Sequence, residues 1–185
     1  MLLLGCNPPG WHTEQHDVFL GIAESLGALV PEIKAFWPET KRIHIDAWRE
    51  VTQVDVYAVS VAERRDANPE DSGMRLFFVN LGGCQPDRFE EQHYVLLTVK
   101  NSVADATQHA KQSLFHRENF FGDANSHIDD KYGIDVDELY PIEDILPEDQ
   151  RSRYQLQLSL AQHIHNDEIH LGYFKLSTLS AGPDG

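Results

Sequence analysis

Short apolar runs that end in glycine stand out in the pattern of hydrophobic and polar positions along the chain. The segments at 2–5 (LLLG) and 76–82 (LFFVNLG) have the length and apolar character of buried strands. Each run leads into the motif Gly-Cys-x-Pro, at residues 5–8 and 83–86. Glycine permits unusual backbone angles and proline cannot continue a strand ladder, so the motif predicts a turn after each strand.

The spacing of apolar residues after each turn is typical of one face of a helix. We therefore expect a helix to follow each Gly-Cys-x-Pro motif. The apolar positions are Val18, Phe19, Ile22 and Leu26 after the first motif, and Val95, Leu96, Val99 and Val103 after the second.

An alternating segment follows the first predicted helix, at 42–48 (RIHIDAW). Alternation predicts a strand with Ile43 and Ile45 on one face. The opposite, polar face of this strand then carries His44, Asp46 and Trp48. A further apolar segment, 54–63 (VDVYAVSVAE), predicts another strand.

Several motifs occur twice, which predicts an internal duplication. Besides Gly-Cys-x-Pro, they are Glu-Gln-His at 14–16 and 91–93 and His-Ile-Asp at 44–46 and 127–129. The predicted fold is α+β, with two β-α-β-β repeats related by pseudo-two-fold symmetry and a C-terminal β-hairpin. The expected boundaries are 1–61 for the first repeat, 62–73 for a polar linker, 74–150 for the second repeat and 151–185 for the hairpin and tail.

The C-terminal segment predicts the hairpin by its alternation from Tyr154 to Leu160 and the turn-forming sequence HNDE at 165–168. In such a hairpin His163 and His170 face each other across the strands, with His165 nearby. Three histidines in this arrangement are candidates for a surface metal site. Cross-strand polar pairing is the alternative.

Four segments of the first repeat resemble a bacterial family catalogued as domain of unknown function 1543. They read LGCNPPG, EQHDVFLGI, PEIKAFWPE and HIDAWREV. The resemblance covers residues 1–60 and extends more loosely over 76–150. It implies one or two copies of the domain and a bacterial origin, and it brings no established activity. The second copy departs from the first where Asp-Ala-Trp at 46–48 becomes Asp-Asp-Lys at 129–131.

Composition narrows the classes of partner. The formal net charge is −15, so nucleic acid and anionic membrane surfaces are excluded as partners and a cationic ligand is favoured. The run at 2–4 is too short for a signal sequence, and no apolar run is long enough to span a membrane. Two cysteines form no disulfide framework. These features predict a cytoplasmic protein with free thiols, as a monomer or a homo-oligomer.

The duplicated motifs supply the candidate site residues. These are Cys6, His16, His44, Asp46 and Trp48, with Cys84, His93, His127 and Asp129 in the second copy. A cysteine at a strand-to-helix turn favours thiolate, and adding histidine and aspartate suggests nucleophilic catalysis. The same residue types bind zinc. The remaining interpretation is structural, with cysteine acting as a small core residue.

No phosphate loop, nucleophile elbow or zinc-protease motif occurs in the sequence. We therefore expect a non-enzymatic module that binds a small molecule or a protein and has no cofactor. The alternative is a small metal- or thiol-dependent hydrolase that uses Cys6, His16, His44 and Asp46, with zinc as the metal. Convergence of the first three side chains in an open cleft would favour the hydrolase.

Overall fold

The computed structural model describes residues 1–40, 42–64, 73–84, 89, 91–118 and 135–179. Contacts divide the chain into two units. The first unit consists of Met1–Gln53, Ala58–Arg64 and Leu146–Gly185, and the second of Val54–Tyr57 and Arg65–Ile145. The architecture is α+β, as predicted, with helices packed on antiparallel sheets.

The first unit is built on a four-stranded antiparallel sheet. Its elements in chain order are β1 (Leu2–Cys6), β2 (Gln15–Phe19), a 3-10 helix (Gly27–Leu29), α1 (Val30–Phe36), β3 (His44–Trp48) and, near the C-terminus, β10 (His170–Lys175). The order of the strands in the sheet is β10-β3-β1-β2.

One face of this sheet carries the core of the first unit. Because side chains alternate along a strand, Leu2, Leu4 and Cys6 all point to the side of α1. There they pack with Ile33 and Ile45, both fully buried. The opposite side of the same sheet, which we call the outer face, carries Leu3 and Gly5, which are not part of this core cluster.

The helix predicted after the first Gly-Cys-x-Pro motif is wrong. The segment from Gln15 to Phe19 forms β2, which pairs with β1 in a hairpin. A strand with one buried apolar end accommodates Val18 and Phe19 as well as a helix would. A short apolar run does not distinguish the two-residue period of a strand from the 3.6-residue period of a helix. The order of elements in this part of the first unit is therefore β-β-α-β rather than β-α-β-β.

The second unit repeats this order of elements. Its elements are β6 (Arg75–Cys84), β7 (Glu91–Lys100), α2 (Val103–Glu118), β8 (Asp135–Pro141) and α3 (Ile142–Ile145), and the sheet order is β7-β6-β8. Val95, Leu96 and Val99 lie in β7, so here too the predicted helix begins later, at Val103. Ala106 and Ala110 of α2 pack on the sheet at Phe77, Val79 and Leu81.

Asp55, which also belongs to the second unit, has a left-handed backbone conformation with a φ of 54°. Its Oδ2 accepts hydrogen bonds from Thr98 Oγ1 (2.8 Å), Val99 N (2.9 Å) and Lys100 Nζ (2.9 Å). Burial alone would raise the pKa of Asp55, but the hydrogen bonds from Val99, Lys100 and Thr98 outweigh it. The net effect is a pKa below the ordinary 3.8.

The predicted C-terminal hairpin is also wrong. The strand β9 (Tyr154–Leu160) belongs to a sheet with β4 (Gln53–Val54) and β5 (Tyr57–Glu63), in the order β4-β5-β9, whereas β10 pairs with β3 in the first sheet. Alternation identifies a strand but not its partner. The free edge of β3 takes β10, and α4 (Glu148–Arg153) leads into β9.

Among the residues with described structure, no helix is long and apolar enough to cross a membrane.

Candidate functional site

The register of the first sheet gathers several of the predicted site residues over Gly5. This residue of β1 pairs with His16 of β2 on one side and with His44 of β3 on the other. Paired residues in an antiparallel sheet point to the same face, so both imidazoles lie on the outer face. Asp46 joins them there, because its Oδ2 would lie 2.7 Å from a Cβ placed on Gly5.

Two carboxylates lie between the same two imidazoles. His44 Nε2 is 3.2 Å from Asp46 Oδ1 and 3.4 Å from Glu14 Oε1. His16 Nε2 is 3.3 Å from Asp46 Oδ2 and 3.9 Å from Glu14 Oε2. We call Glu14, His16, His44 and Asp46 the imidazole–carboxylate cluster.

The members of the cluster differ in their access to solvent. The His44 side chain is only 5% exposed, whereas those of His16 and Glu14 are 45% and 39% exposed. The ring of Tyr173, which is itself exposed, lies 4.2 Å from that of His44. The cluster thus has a buried base and an accessible rim.

Asp46 Oδ2 is the exceptional atom of the cluster. It is buried and makes no hydrogen bond of acceptable geometry within the described residues, although His16 Nε2 lies 3.3 Å away. A buried acceptor without a donor costs about 1–3 kcal/mol. An external donor would remove that cost.

Gly5 is required because two side chains cross above it. A Cβ at this position would collide with His44 Nε2 and press against Asp46. Glycine in a strand often marks such a close approach. The glycine of the first Gly-Cys-x-Pro motif therefore makes room for the cluster as well as ending the strand.

A bulge in β3 corrects the predicted position of Trp48. The pairing with β1 shifts between Ile45, opposite Leu4, and Ala47, opposite Leu3. The extra residue in the bulge is Asp46, and it reverses the alternation beyond it. Trp48 consequently packs against the core and stacks on His170, with ring centroids 3.9 Å apart, instead of sharing the face of His44.

Next to the cluster, the outer face carries a row of apolar side chains. One residue from each strand pairs in register with its neighbour, and together they form the apolar row: Val18, Leu3, Ala47 and Leu171. Leu171 is 78% exposed and Leu3 is 37% exposed. The row next to it contains His16, Gly5 and His44, and it ends at Lys175 of β10, which pairs with His44.

Cys6 does not belong to this site, which corrects its prediction as a ligand-binding or nucleophilic residue. It follows Gly5 in β1 and therefore points to the opposite face, where it is fully buried in the core. No helix begins at it. Burial raises the pKa of the Cys6 thiol, which disfavours the thiolate that a nucleophile needs.

The three C-terminal histidines are not gathered into a metal site. His170 stacks on Trp48, whereas His165 Nε2 lies 3.2 Å from Thr52 Oγ1 and His163 is exposed. The expected cross-strand pair of His163 and His170 depended on the hairpin that does not form. Across the described ranges of the chain, no group of three or more His, Cys, Asp or Glu side chains is arranged to hold a metal ion.

The predicted residues of the second copy have separate outcomes. His93 lies opposite Gly82 on the second sheet, as His16 lies opposite Gly5 on the first. Cys84 ends β6, and its side chain is outside the described part. His127 and Asp129 also lie outside the described residues.

Sequence reasoning missed two members of the first site, Glu14 and Tyr173. The recurring Glu-Gln-His motif contained a signal for Glu14. Residues two apart in an extended chain point to the same side, so Glu14 lies on the side of His16. Nothing in the sequence pointed to Tyr173, because the pairing of β10 with β3 brings it to the site from a distant part of the chain.

Comparison with known proteins finds a family model that matches part of the chain. Residues 11–61 match the model of a family described as Domain of Unknown Function (DUF1543). This match confirms the predicted resemblance over the segment that contains the whole imidazole–carboxylate cluster. No curated protein matches the chain.

The chain is also similar to a solved structure, described as the crystal structure of a protein Il1583 from Idiomarina loihiensis. The TM-score is 0.57 at 20% sequence identity, over 100% of this chain and 96% of that one. At this identity the likeness shows a shared fold and assigns no activity.

Proposed function

We propose that this protein is a binding module that takes a small organic cation with an aliphatic stem on the outer face of the first sheet. The observation that carries the proposal is Asp46 Oδ2, a buried carboxylate oxygen without a hydrogen-bond donor at the base of an open site. An ammonium or guanidinium group supplies the missing donor. A guanidinium group pairs especially well with a carboxylate because it donates two parallel hydrogen bonds.

The surroundings of Asp46 favour a cation over a neutral ligand. Glu14 contributes a second carboxylate, and the exposed ring of Tyr173 offers an aromatic face to a bound cation. The net charge of −15 attracts cations to the surface over longer distances. These features act together at one place on the sheet.

The apolar row favours a ligand with an aliphatic stem. Leu3 and Leu171 expose apolar surface directly beside the cluster, and contact with methylene groups would remove that surface from water. The charged end of the ligand then faces Asp46 and Glu14 while its stem lies over the row. Agmatine, an aliphatic chain with a guanidinium group at one end and an ammonium group at the other, has this chemistry.

The position of Cys6 argues against the thiol-dependent form of the hydrolase alternative. That alternative required Cys6, His16 and His44 to converge, but only the two histidines do, because Cys6 faces the opposite side of the sheet. Imidazole–carboxylate pairs are common in acid–base catalysis. Here each imidazole faces a carboxylate, and the cluster presents hydrogen-bond acceptors to a ligand.

Isothermal titration calorimetry with agmatine tests the proposal, with N-butylurea as an uncharged counterpart. We expect wild-type protein to bind agmatine and not N-butylurea. Asp46→Asn should abolish agmatine binding at the imidazole–carboxylate cluster and so reduce the measured binding, because the amide carries no charge. Asp17→Asn is the matched control, since it removes a carboxylate from β2 at the position that pairs with Leu4, on the face opposite to the cluster, and should leave agmatine binding unchanged. Absence of agmatine binding to the wild type, or equal binding to Asp46→Asn, would contradict the proposal.

A further inference from the structure

The sheet of the second unit repeats the register that builds the first site. Gly82 of β6 pairs with His93 of β7 on one side and with Asp135 of β8 on the other. Gly5 lies in the same way between His16 and His44. The residue matching Gly5 is Gly82 and not Gly83, because the loop after the second motif is one residue shorter.

The bulge recurs as well. The pairing of β8 with β6 shifts between Val136, opposite Leu81, and Glu138, opposite Asn80. The extra residue is Asp137, in the place that Asp46 has in β3. A Cβ on Gly82 would collide with Asp137 Oδ2, as one on Gly5 would press on Asp46. A glycine that makes room for a bulged aspartate beside a histidine is therefore present in each unit.

Four polar side chains form a second cluster over Gly82. His93 Nδ1 lies 3.5 Å from Asp137 Oδ2 and 3.2 Å from Asn80 Nδ2. Asn80 Nδ2 also donates to Glu138 Oε2 at 2.7 Å. The His93 side chain is 50% exposed and that of Asp137 is 30% exposed, so the cluster is open to a ligand.

Asn80 presents an acceptor that the protein does not use. Its amide nitrogen must face Glu138, because a carboxylate accepts and does not donate, and this fixes the orientation of the amide. The Asn80 Oδ1 atom is then buried and makes no hydrogen bond within the described residues. Together with the carboxylates of Asp137 and Glu138, it would accept hydrogen bonds from a ligand that is a donor on several sides.

The row of the sheet next to the glycine has a different character in the two units. The apolar row of the first unit has Leu3 and Ala47 where the second unit has Asn80 and Glu138. In this row the second cluster keeps one apolar residue, Val95, and has polar acceptors in the places of Leu3 and Ala47. It suits a compact cation whose hydrogen-bond donors surround the charge.

We infer that the second unit carries a second cation site, formed by Asn80, His93, Asp137 and Glu138, that takes a compact cation such as a guanidinium ion and gains nothing from an aliphatic stem. The inference uses the ligand class of the proposed function. The two sites lie on different sheets and can be observed separately, so each can fail alone.

Amide NMR spectra of the full chain, titrated in turn with methylguanidinium and agmatine, test this inference. The reporters are the backbone amides of Gly82, His93 and Val136 for the second site and of Gly5, His16 and Ile45 for the first. We expect both probes to shift the second set with the same midpoint. Agmatine should bind the first site about threefold to tenfold more tightly than methylguanidinium, because its stem covers apolar surface there.

Reciprocal variants separate the two sites. Asp137→Asn should abolish the shifts at the second set and leave the first set unchanged, and Asp46→Asn should do the reverse. Glu138→Gln, expected to weaken the second site, replaces Asp137→Asn if that variant does not give a folded spectrum. The double variant Asn80→Leu/Glu138→Ala should create a preference for agmatine over methylguanidinium at the second set.

The outcomes distinguish the two proposals. Shifts confined to the first set overturn the second site and leave the proposed function standing. Shifts confined to the second set overturn the proposed function and support the second site. Absence of shifts at both sets of amides overturns both proposals. An equal preference for agmatine over methylguanidinium at the two sets overturns the specificity assigned to the second site.

Discussion

His16 and Asp46 belong to strands on opposite sides of β1, and they meet above Gly5 with Nε2 3.3 Å from Oδ2. The side chains reach each other across an intervening strand because that strand has no side chain at the crossing point. Register, bulge and glycine are thus all needed to place one pair of polar groups.

Substituting Gly5 by alanine should disrupt the imidazole–carboxylate cluster while leaving the core face of β1 intact. The new Cβ collides with His44 and presses on Asp46, so one of them must leave its position. Overpacking of this kind costs about 1–3 kcal/mol. We expect agmatine binding at the imidazole–carboxylate cluster to be lost and the free energy of unfolding, measured by urea denaturation, to fall by that amount. Unchanged binding with unchanged stability would show that Gly5 is not needed for the crossing.

Replacing Asp55 by asparagine should destabilise the protein in a pH-dependent manner. The pKa of Asp55 is lowered in the folded state, so its carboxylate stabilises the fold above the unfolded-state value of about 3.8. That contribution is lost as the pH falls through the folded-state pKa. We expect a loss of about 1–3 kcal/mol at neutral pH, because the hydrogen bonds from Thr98, Val99 and Lys100 lose their charged acceptor.

Urea unfolding of the wild type and of Asp55→Asn across the acid range measures this effect. The difference between the two proteins should be constant at neutral pH and shrink at pH values below 3.8. Glu148→Gln, an exposed change in α4, serves as the control and should leave stability within about 0.5 kcal/mol of the wild type. A difference for Asp55→Asn that grows on acidification would have the wrong sign for a carboxylate that stabilises the fold.

Cys6 should resist modification in the native protein. It is fully buried and burial raises the pKa of its thiol, so both access and thiolate are lacking. In the Cys84→Ser variant, which leaves Cys6 as the reporter, labelling by a maleimide should be slow in buffer and fast after denaturation. No reductant should be needed in either case. Rapid native labelling would reopen the thiol-dependent interpretation.

Much of the first site could be predicted because its strands carry clear signals. The alternation around Ile43 and Ile45 placed His44 and Asp46 on one face, and the repeated Glu-Gln-His motif marked His16. Cys6 was misplaced because a helix was expected after it. In the structure Cys6 is still part of β1, paired with Gln15 of β2, so it points to the face opposite to that of Gly5.

The remaining features depend on pairings that local pattern does not encode. The bulge at Asp46 moves Trp48 into the core, and no residue type announces a bulge at that position. Tyr173 arrives through the pairing of β10 with β3. The recurrence of His-Ile-Asp predicts Asp129 as the counterpart of Asp46, whereas the register of the second sheet places Asp137 there. Asp129 lies outside the described residues.

Zinc should be absent from protein purified without an affinity tag. The residue types of the first cluster bind zinc elsewhere, whereas the proposed function assigns them to an organic cation. Elemental analysis should give well under one equivalent of zinc for each chain. A stoichiometric amount that is lost in His16→Ala would replace the proposed ligand by a metal.

A crystal structure of the protein soaked with agmatine would show directly whether the imidazole–carboxylate cluster binds an organic cation. We predict a guanidinium group within hydrogen-bond distance of Asp46 Oδ2, between His16 and His44, with the aliphatic chain over Leu3. Absence of agmatine at Asp46, or a metal ion between the two imidazoles, would contradict the proposed function.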